Sequence, residues 1–147
     1  MADPSTVFDQ INLIVKDMDA ALAFYSRLGL RIPHPRVWPP GSGALHAEVT
    51  MPNGVRLEFD NYEMVAIWHP GWKDVAGSAR AVLGFSLPSR EAVDALYADL
   101  TSAGYAGQHA PHDAFWGARY AIVQDPDGND VGLMSPKDPQ QRFTPAE

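Results

Sequence analysis

A chain of 147 residues, 46% of them hydrophobic, is long enough for one well-buried domain or for two small halves sharing a core. A formal charge of −7, a pI near 5.0 and the lack of any basic cluster argue against a nucleic-acid partner, because such binding draws its affinity from Lys and Arg displacing counterions. The absence of cysteine excludes disulfides, thiolate metal sites and a cysteine nucleophile. With no basic and apolar leader at the start and no apolar run near the ~18 residues of a membrane span, the expectation is a soluble, unprocessed, cytoplasmic protein.

Residues 7–15, VFDQINLIV, mix alternation with a short apolar run and read as a strand. Asp17 then caps a helix over Met18 to Leu28, in which Met18, Ala21, Leu22, Tyr25 and Leu28 recur at three- and four-residue steps up to Gly29. From Arg31 to Gly43 four prolines and two glycines leave room for a short edge strand and a loop, and Trp38 sits in that loop. His46 to Thr50 and Val55 to Phe59 form a hairpin around Met51-Pro52-Asn53-Gly54.

Asn61 to Arg80 reads as a long connection carrying Tyr62, Trp68, His69 and Trp72, too aromatic for an inert linker. Ala81 to Leu87 is predicted as a buried strand. Ser89 caps a second helix with Val93, Leu96, Tyr97 and Leu100 on its apolar face and Gly104 as its stop. A polar edge segment over residues 105–114 leads into the clearest hairpin of the chain: Ala118 to Val123, the turn Asp125-Pro126-Asp127-Gly128-Asn129, then Asp130 to Met134. Phe115 and Trp116 stand at its mouth, and the charged, proline-containing residues 137–147 are expected to fray.

The two halves repeat. Ile11 to Val15 matches Leu83 to Leu87, Ala23-Phe24-Tyr25 matches Ala95-Leu96-Tyr97, and Pro52-Asn53-Gly54 matches Pro126-Asp127-Gly128, at offsets of about 72 to 74 residues. Each unit reads strand, helix and three strands, and neither can bury a sheet face alone. The expected organisation is one internally duplicated α+β domain: a βαβββ module at 7–60, an aromatic connection at 61–80, a second module at 81–136 and a tail at 137–147.

The βαβββ repeat, the opening Lys16-Asp17-Met18-Asp19-Ala20-Ala21-Leu22-Ala23-Phe24-Tyr25 and the closing Asp125-Pro126-Asp127-Gly128-Asn129 resemble the vicinal oxygen chelate superfamily of glyoxalase I, extradiol dioxygenases and bleomycin-resistance proteins. Within it, Val55-Arg56-Leu57, Tyr97-Ala98-Asp99-Leu100 with Ala103-Gly104-Tyr105, and Trp116-Gly117-Ala118-Arg119-Tyr120-Ala121-Ile122-Val123 are most similar to the mitomycin-resistance protein and its antibiotic-sequestering relatives. The resemblance, from Phe8 to Pro136, implies curved mixed sheets, usually in a dimer with sites at the module interface. It also implies divalent-metal positions at Gln10, Glu58, Val82 and Gly132. Val and Gly offer no donor there, and a catalytic metal normally keeps about three protein ligands, so no metal cofactor is expected.

What remains for function is a concave site and its aromatics. Trp116, with Phe115, is a candidate to lie over a flat ligand. By the resemblance His46 faces Trp116 across the pocket, where it would stack on or hydrogen-bond to a quinone-like ligand. Trp38 is a rim, a lid or a loop anchor. Tyr62, Trp68 and Trp72 belong to the connection; Tyr62 and Trp68 are candidate ligand contacts, with packing favoured over cavity lining for the two tryptophans. Burial of Glu58 without a metal would leave it neutral or paired, as a vestigial ligand or as a polar contact to a bound drug, and Arg56 is assigned to the opposite strand face. Asp60, Asp113 and Arg119 read as surface or turn charges, and His109 and His112 as a solvated edge. GxSxG, a phosphate-cradling loop and HExxH are all lacking, and what the resemblance implies is a metal-free, homodimeric protein that sequesters a planar or aromatic DNA-damaging antibiotic of mitomycin, bleomycin or enediyne type. The alternative is a lyase, isomerase or dioxygenase with an altered metal set of Gln10, Glu58 and a histidine; a third reading is a scaffold whose pocket is filled by its own side chains.

Overall fold

The computed structural model describes residues 8–69, 72–75 and 81–145. Residue 7 of the first expected strand and residues 70, 71 and 76–80 of the expected connection lie outside that set. The chain divides into two compact units between residues 76 and 77.

The first unit runs β1 (Gln10–Val15), α1 (Met18–Leu28), β2 (Arg36–Val37), β3 (Leu45–Thr50), β4 (Arg56–Asn61) and α2 (Tyr62–Trp68). Its sheet has the order β1-β4-β3-β2, with β1 parallel to β4 and the other pairs antiparallel. Strand parity divides the sheet into two faces. Leu13, Val15, Leu57 and Phe59 on one face are buried, and Tyr25 of α1 lays its ring against Phe59 at a centroid distance of 5.2 Å. The other face carries Asn12, Arg56, Glu58, Asp60, His46 and Glu48, brought abreast by the pairings Asn12↔Glu58, Glu48↔Glu58 and His46↔Asp60. As expected, α1 starts at Asp17, whose carboxylate accepts from the Ala20 N–H, and stops at Gly29 in a left-handed conformation.

The connection expected after the first hairpin instead begins with a helix. Asn61 makes it possible: its side-chain oxygen accepts from the N–H of Met64 and of Leu45, and its amide donates to the Gly43 carbonyl. One residue therefore caps α2 and pins the loop that carries Trp38. Met64 and Val65 are buried beneath α2, a spacing too short to stand out as a periodic signal.

The second unit repeats the pattern: β5 (Val82–Ser86), α3 (Arg90–Ser102), β6 (Gly107–Asp113), β7 (Arg119–Gln124) and β8 (Asp130–Met134), with sheet order β5-β8-β7-β6. Val93 and Leu100 of α3, Ala121 and Val123 of β7, and Val131 and Leu133 of β8 are fully buried. The Asp125 to Asn129 turn is held by Asp125, whose carboxylate accepts from the backbone N–H groups of Asp127 and Asn129 and from the Asn129 amide, all at 2.8–2.9 Å. Gly128 supplies the φ of +83° the turn requires.

Two expectations fail here. β5 is not a buried strand: it is a sheet edge on which Val82, Gly84 and Ser86 are exposed and Leu83 and Phe85 are half-buried. The tail does not fray where it is described. The Asp138 N–H donates to the Gly117 carbonyl, a 3₁₀ turn follows over Pro139–Gln141, and the Phe143 N–H donates to the Phe115 carbonyl.

Candidate functional site

The polar face of the first unit centres on Asp60, which is only 3% exposed and is therefore not a surface charge. His46 Nδ1 lies 2.6 Å from Asp60 Oδ1, and Asp60 Oδ2 accepts from Asn12 Nδ2 at 2.8 Å and from Trp68 Nε1 at 3.2 Å. A buried carboxylate is tolerated when donors replace its lost water, and three converge here. With Nδ1 held by Asp60, His46 turns Nε2 toward Glu48 Oε2 at 3.5 Å and Glu58 Oε1 at 3.7 Å. Burial alone would lower the His46 pKa, but the hydrogen bonds and charges of Asp60 and then Glu48 outweigh it, raising the pKa above its ordinary value.

Each glutamate has one oxygen on the histidine side and the other on an arginine. Glu48 Oε1 lies 3.7 Å from Arg36, and Glu58 Oε2 lies 3.5 Å from Arg56 Nε. Arg56 thus shares the face of Glu58, contrary to the sequence assignment, because residues two apart on a strand point the same way. Its guanidinium also donates to Gln10 and Asp9.

Beside His46, Arg36, Val37, Trp38 and Met64 complete a groove of about 400 Å³, within the size range of small-molecule sites. Trp38 is 61% exposed. Its backbone N–H donates to the Ala44 carbonyl, closing the loop that Asn61 pins, so the indole is presented from a fixed base. Tyr62 does not line this groove: its hydroxyl donates to Asp74 and its ring packs against Trp72 at 4.9 Å. Trp68 anchors to Asp60 through Nε1 and leaves its side chain half exposed, and it is not among the residues that line the groove.

In the second unit, Trp116 meets Phe115 and Tyr120 edge-on at 5.1 and 5.3 Å and donates Nε1 to Met134 Sδ. The register pairs Tyr120↔Met134 and Ile122↔Gly132 stand where the first unit has His46↔Asp60 and Glu48↔Glu58. Duplicated positions that are ionic in one module are thus aromatic or apolar in the other. His109 and His112 stack on the β6 edge at 3.9 Å. Arg119 is more than a surface charge, donating to Asp94 and Asp113, and Asp113 also takes Arg90.

Two βαβββ modules, each with a helix on one face of a four-stranded mixed sheet and a chemically distinct opposite face, define a glyoxalase-like protein. The family model of the Glyoxalase/Bleomycin resistance protein/Dioxygenase superfamily matches residues 7–133, and the chain belongs to that superfamily. Solved structures agree on the fold. A glyoxalase/bleomycin resistance protein/dioxygenase from Nocardioides is 21% identical, with a TM-score of 0.69 over 94% of this chain and 87% of that one. A family enzyme from Burkholderia phytofirmans PsJN is 19% identical, with a TM-score of 0.70 over 88% and 98%. A glyoxalase-related enzyme from Fulvimarina pelagi is 20% identical, with a TM-score of 0.68 over 87% and 86%. No curated protein sequence matches the chain. Among the described residues no helix is long and apolar enough to cross a membrane.

The metal positions implied by the resemblance do not fit a metal. The Gln10 amide oxygen accepts from Arg56, Val82 is an exposed aliphatic residue, and a side chain at Gly132 would lie 2.6 Å from the Tyr120 hydroxyl. Of the four, Glu58 alone keeps a charged donor.

Proposed function

We propose that this protein is a binding member of its superfamily that captures a planar, aromatic DNA-damaging antibiotic of mitomycin, bleomycin or enediyne type and confers resistance by holding it rather than converting it. The observation that carries this reading is the groove at Trp38. An exposed indole on a pinned loop, the apolar side chains of Val37 and Met64, and the polar pair His46 and Arg36 match what a flat ligand with a few oxygen substituents needs. Trp116 with Phe115 is a further aromatic candidate in this reading, and a homodimeric assembly and a cytoplasmic location belong to it. Turnover at an altered metal set is a second reading, and the His46, Glu48 and Glu58 cluster is the observation in its favour.

The test is a tryptophan-fluorescence titration with a mitomycin, a bleomycin and an enediyne-type compound, on the wild type and on Trp38→Ala and Trp116→Ala. Saturable quenching by one class, weakened tenfold or more in Trp38→Ala, is expected; tenfold corresponds to about 1.4 kcal/mol. Absence of a response from every class overturns the reading.

A further inference from the structure

His46, Glu48 and Glu58 each offer one ligand atom, all within 4.8 Å of one another. These three residues do not coincide with the metal positions implied by the family resemblance: His46 and Glu48 lie on β3, and only Glu58 is shared. We propose that they form a divalent-cation site for a first-row transition ion, Zn²⁺ being the best geometric match, built entirely within the first unit. The inference rests on this cluster and goes beyond the aromatic-binding reading.

Four observations carry it. Ligands about 2.0–2.1 Å from a tetrahedral zinc stand roughly 3.3–3.4 Å apart, and His46 Nε2 is 3.5 Å from Glu48 and 3.7 Å from Glu58. The third edge, between the two carboxylates, closes by rotation of Glu48, whose side chain is 40% exposed.

Second, the histidine is prepared as a ligand. Asp60 holds Nδ1, which fixes the ring and leaves Nε2 to point at the cluster, and Asp60 is itself fixed by Asn12 and Trp68. A carboxylate behind the histidine is the common outer support of a metal-bound imidazole.

Third, Glu58 is nine-tenths buried and makes no hydrogen bond among the described residues. Its nearest cationic atoms are those of Arg56 and His46, at 3.5 and 3.7 Å. A desolvated carboxylate held so loosely is incompletely compensated, and a cation at the cluster supplies the missing partner.

Fourth, Asn12, the register neighbour of Glu58, has its side-chain oxygen buried without a hydrogen-bond donor. Three protein ligands leave a fourth position for water, and such a water has protons to give to an acceptor of this kind. One imidazole with two carboxylates suits Zn²⁺, Co²⁺ or Mn²⁺ better than a soft ion such as Cu⁺.

The test is calorimetric titration of chelator-treated protein with Zn²⁺. The expected result is one ion per chain with micromolar or tighter affinity, weakened at least tenfold in both His46→Gln and Glu48→Gln, and unchanged in the His109→Gln/His112→Gln double variant that removes the other histidine pair. Co²⁺ loading of the wild type adds a measurement that no variant's folding can confound: intense visible absorption of a four- or five-coordinate ion is expected. Failure of the wild type to take up zinc, uptake that survives both cluster variants, uptake lost only with His109 and His112, or a pale six-coordinate Co²⁺ spectrum each overturns the proposal. Antibiotic quenching in metal-free protein reports on the Trp38 groove separately, so the two readings fail independently.

Discussion

His46 and Asp60 face each other across the β3–β4 register, with Nδ1 2.6 Å from the carboxylate. This pair organises the polar face. Asp60 is the buried acceptor into which β1, β3 and α2 each send one donor, and the direction of His46 toward Glu48 and Glu58 follows from it.

Replacing Asp60 with Ala is therefore expected to be severe. Three donors lose their acceptor in a buried setting, and the cost should be about 3 kcal/mol, in the range for breaking a buried ionic pair. Urea unfolding measures it as a fall in midpoint at unchanged slope. A loss below about 1 kcal/mol would show that Asp60 is not the centre of this network.

The His46 pKa gives a pH dependence with a definite sign. It is raised above 6.5 in the folded chain, so the stability it contributes is fully present below that value and is lost as pH rises through the folded pKa. In chelator-containing buffer, the stability advantage of the wild type over His46→Gln should shrink as pH rises above 6.5. An advantage that grows with pH would contradict the assignment.

Gly117 tests the docked tail. Its φ is +93°, and a β-carbon there would run into the Asp138 carbonyl. Gly117→Ala should cost more than about 1 kcal/mol from left-handed backbone strain alone. It should also speed hydrogen exchange at the Asp138 and Phe143 amides, which donate to Gly117 and Phe115. Unchanged exchange would mean that residues 138–143 do not depend on this contact.

Both long helices and the two hairpins were legible because they rest on local chemistry: caps at Asp17 and Ser89, and turns closed by Gly54 and Gly128. The ionic cluster was less legible because it is made by register. Glu48 is one ordinary strand glutamate and Asp60 one ordinary strand-end aspartate until β3 and β4 align them with His46 and Glu58. Strand parity alone would have put Arg56 beside Glu58. α2 escaped notice because seven residues give too little periodicity, although Asn61 carried its cap signal. Trp38 and His46 were found as candidates, but that they border one groove follows from the pairing of Arg36 with His46 and Val37 with Leu45.

The most direct test of the binding account is a two-dimensional ¹H–¹⁵N NMR titration that follows the four tryptophan indole signals while a mitomycin-type quinone, a bleomycin or an enediyne-type compound is added. The account predicts that one class shifts the Trp38 indole saturably, together with the backbone amides of Arg36 and His46. Indole and amide signals that stay in place with every class, or shifts that leave Trp38 and His46 untouched, would contradict it.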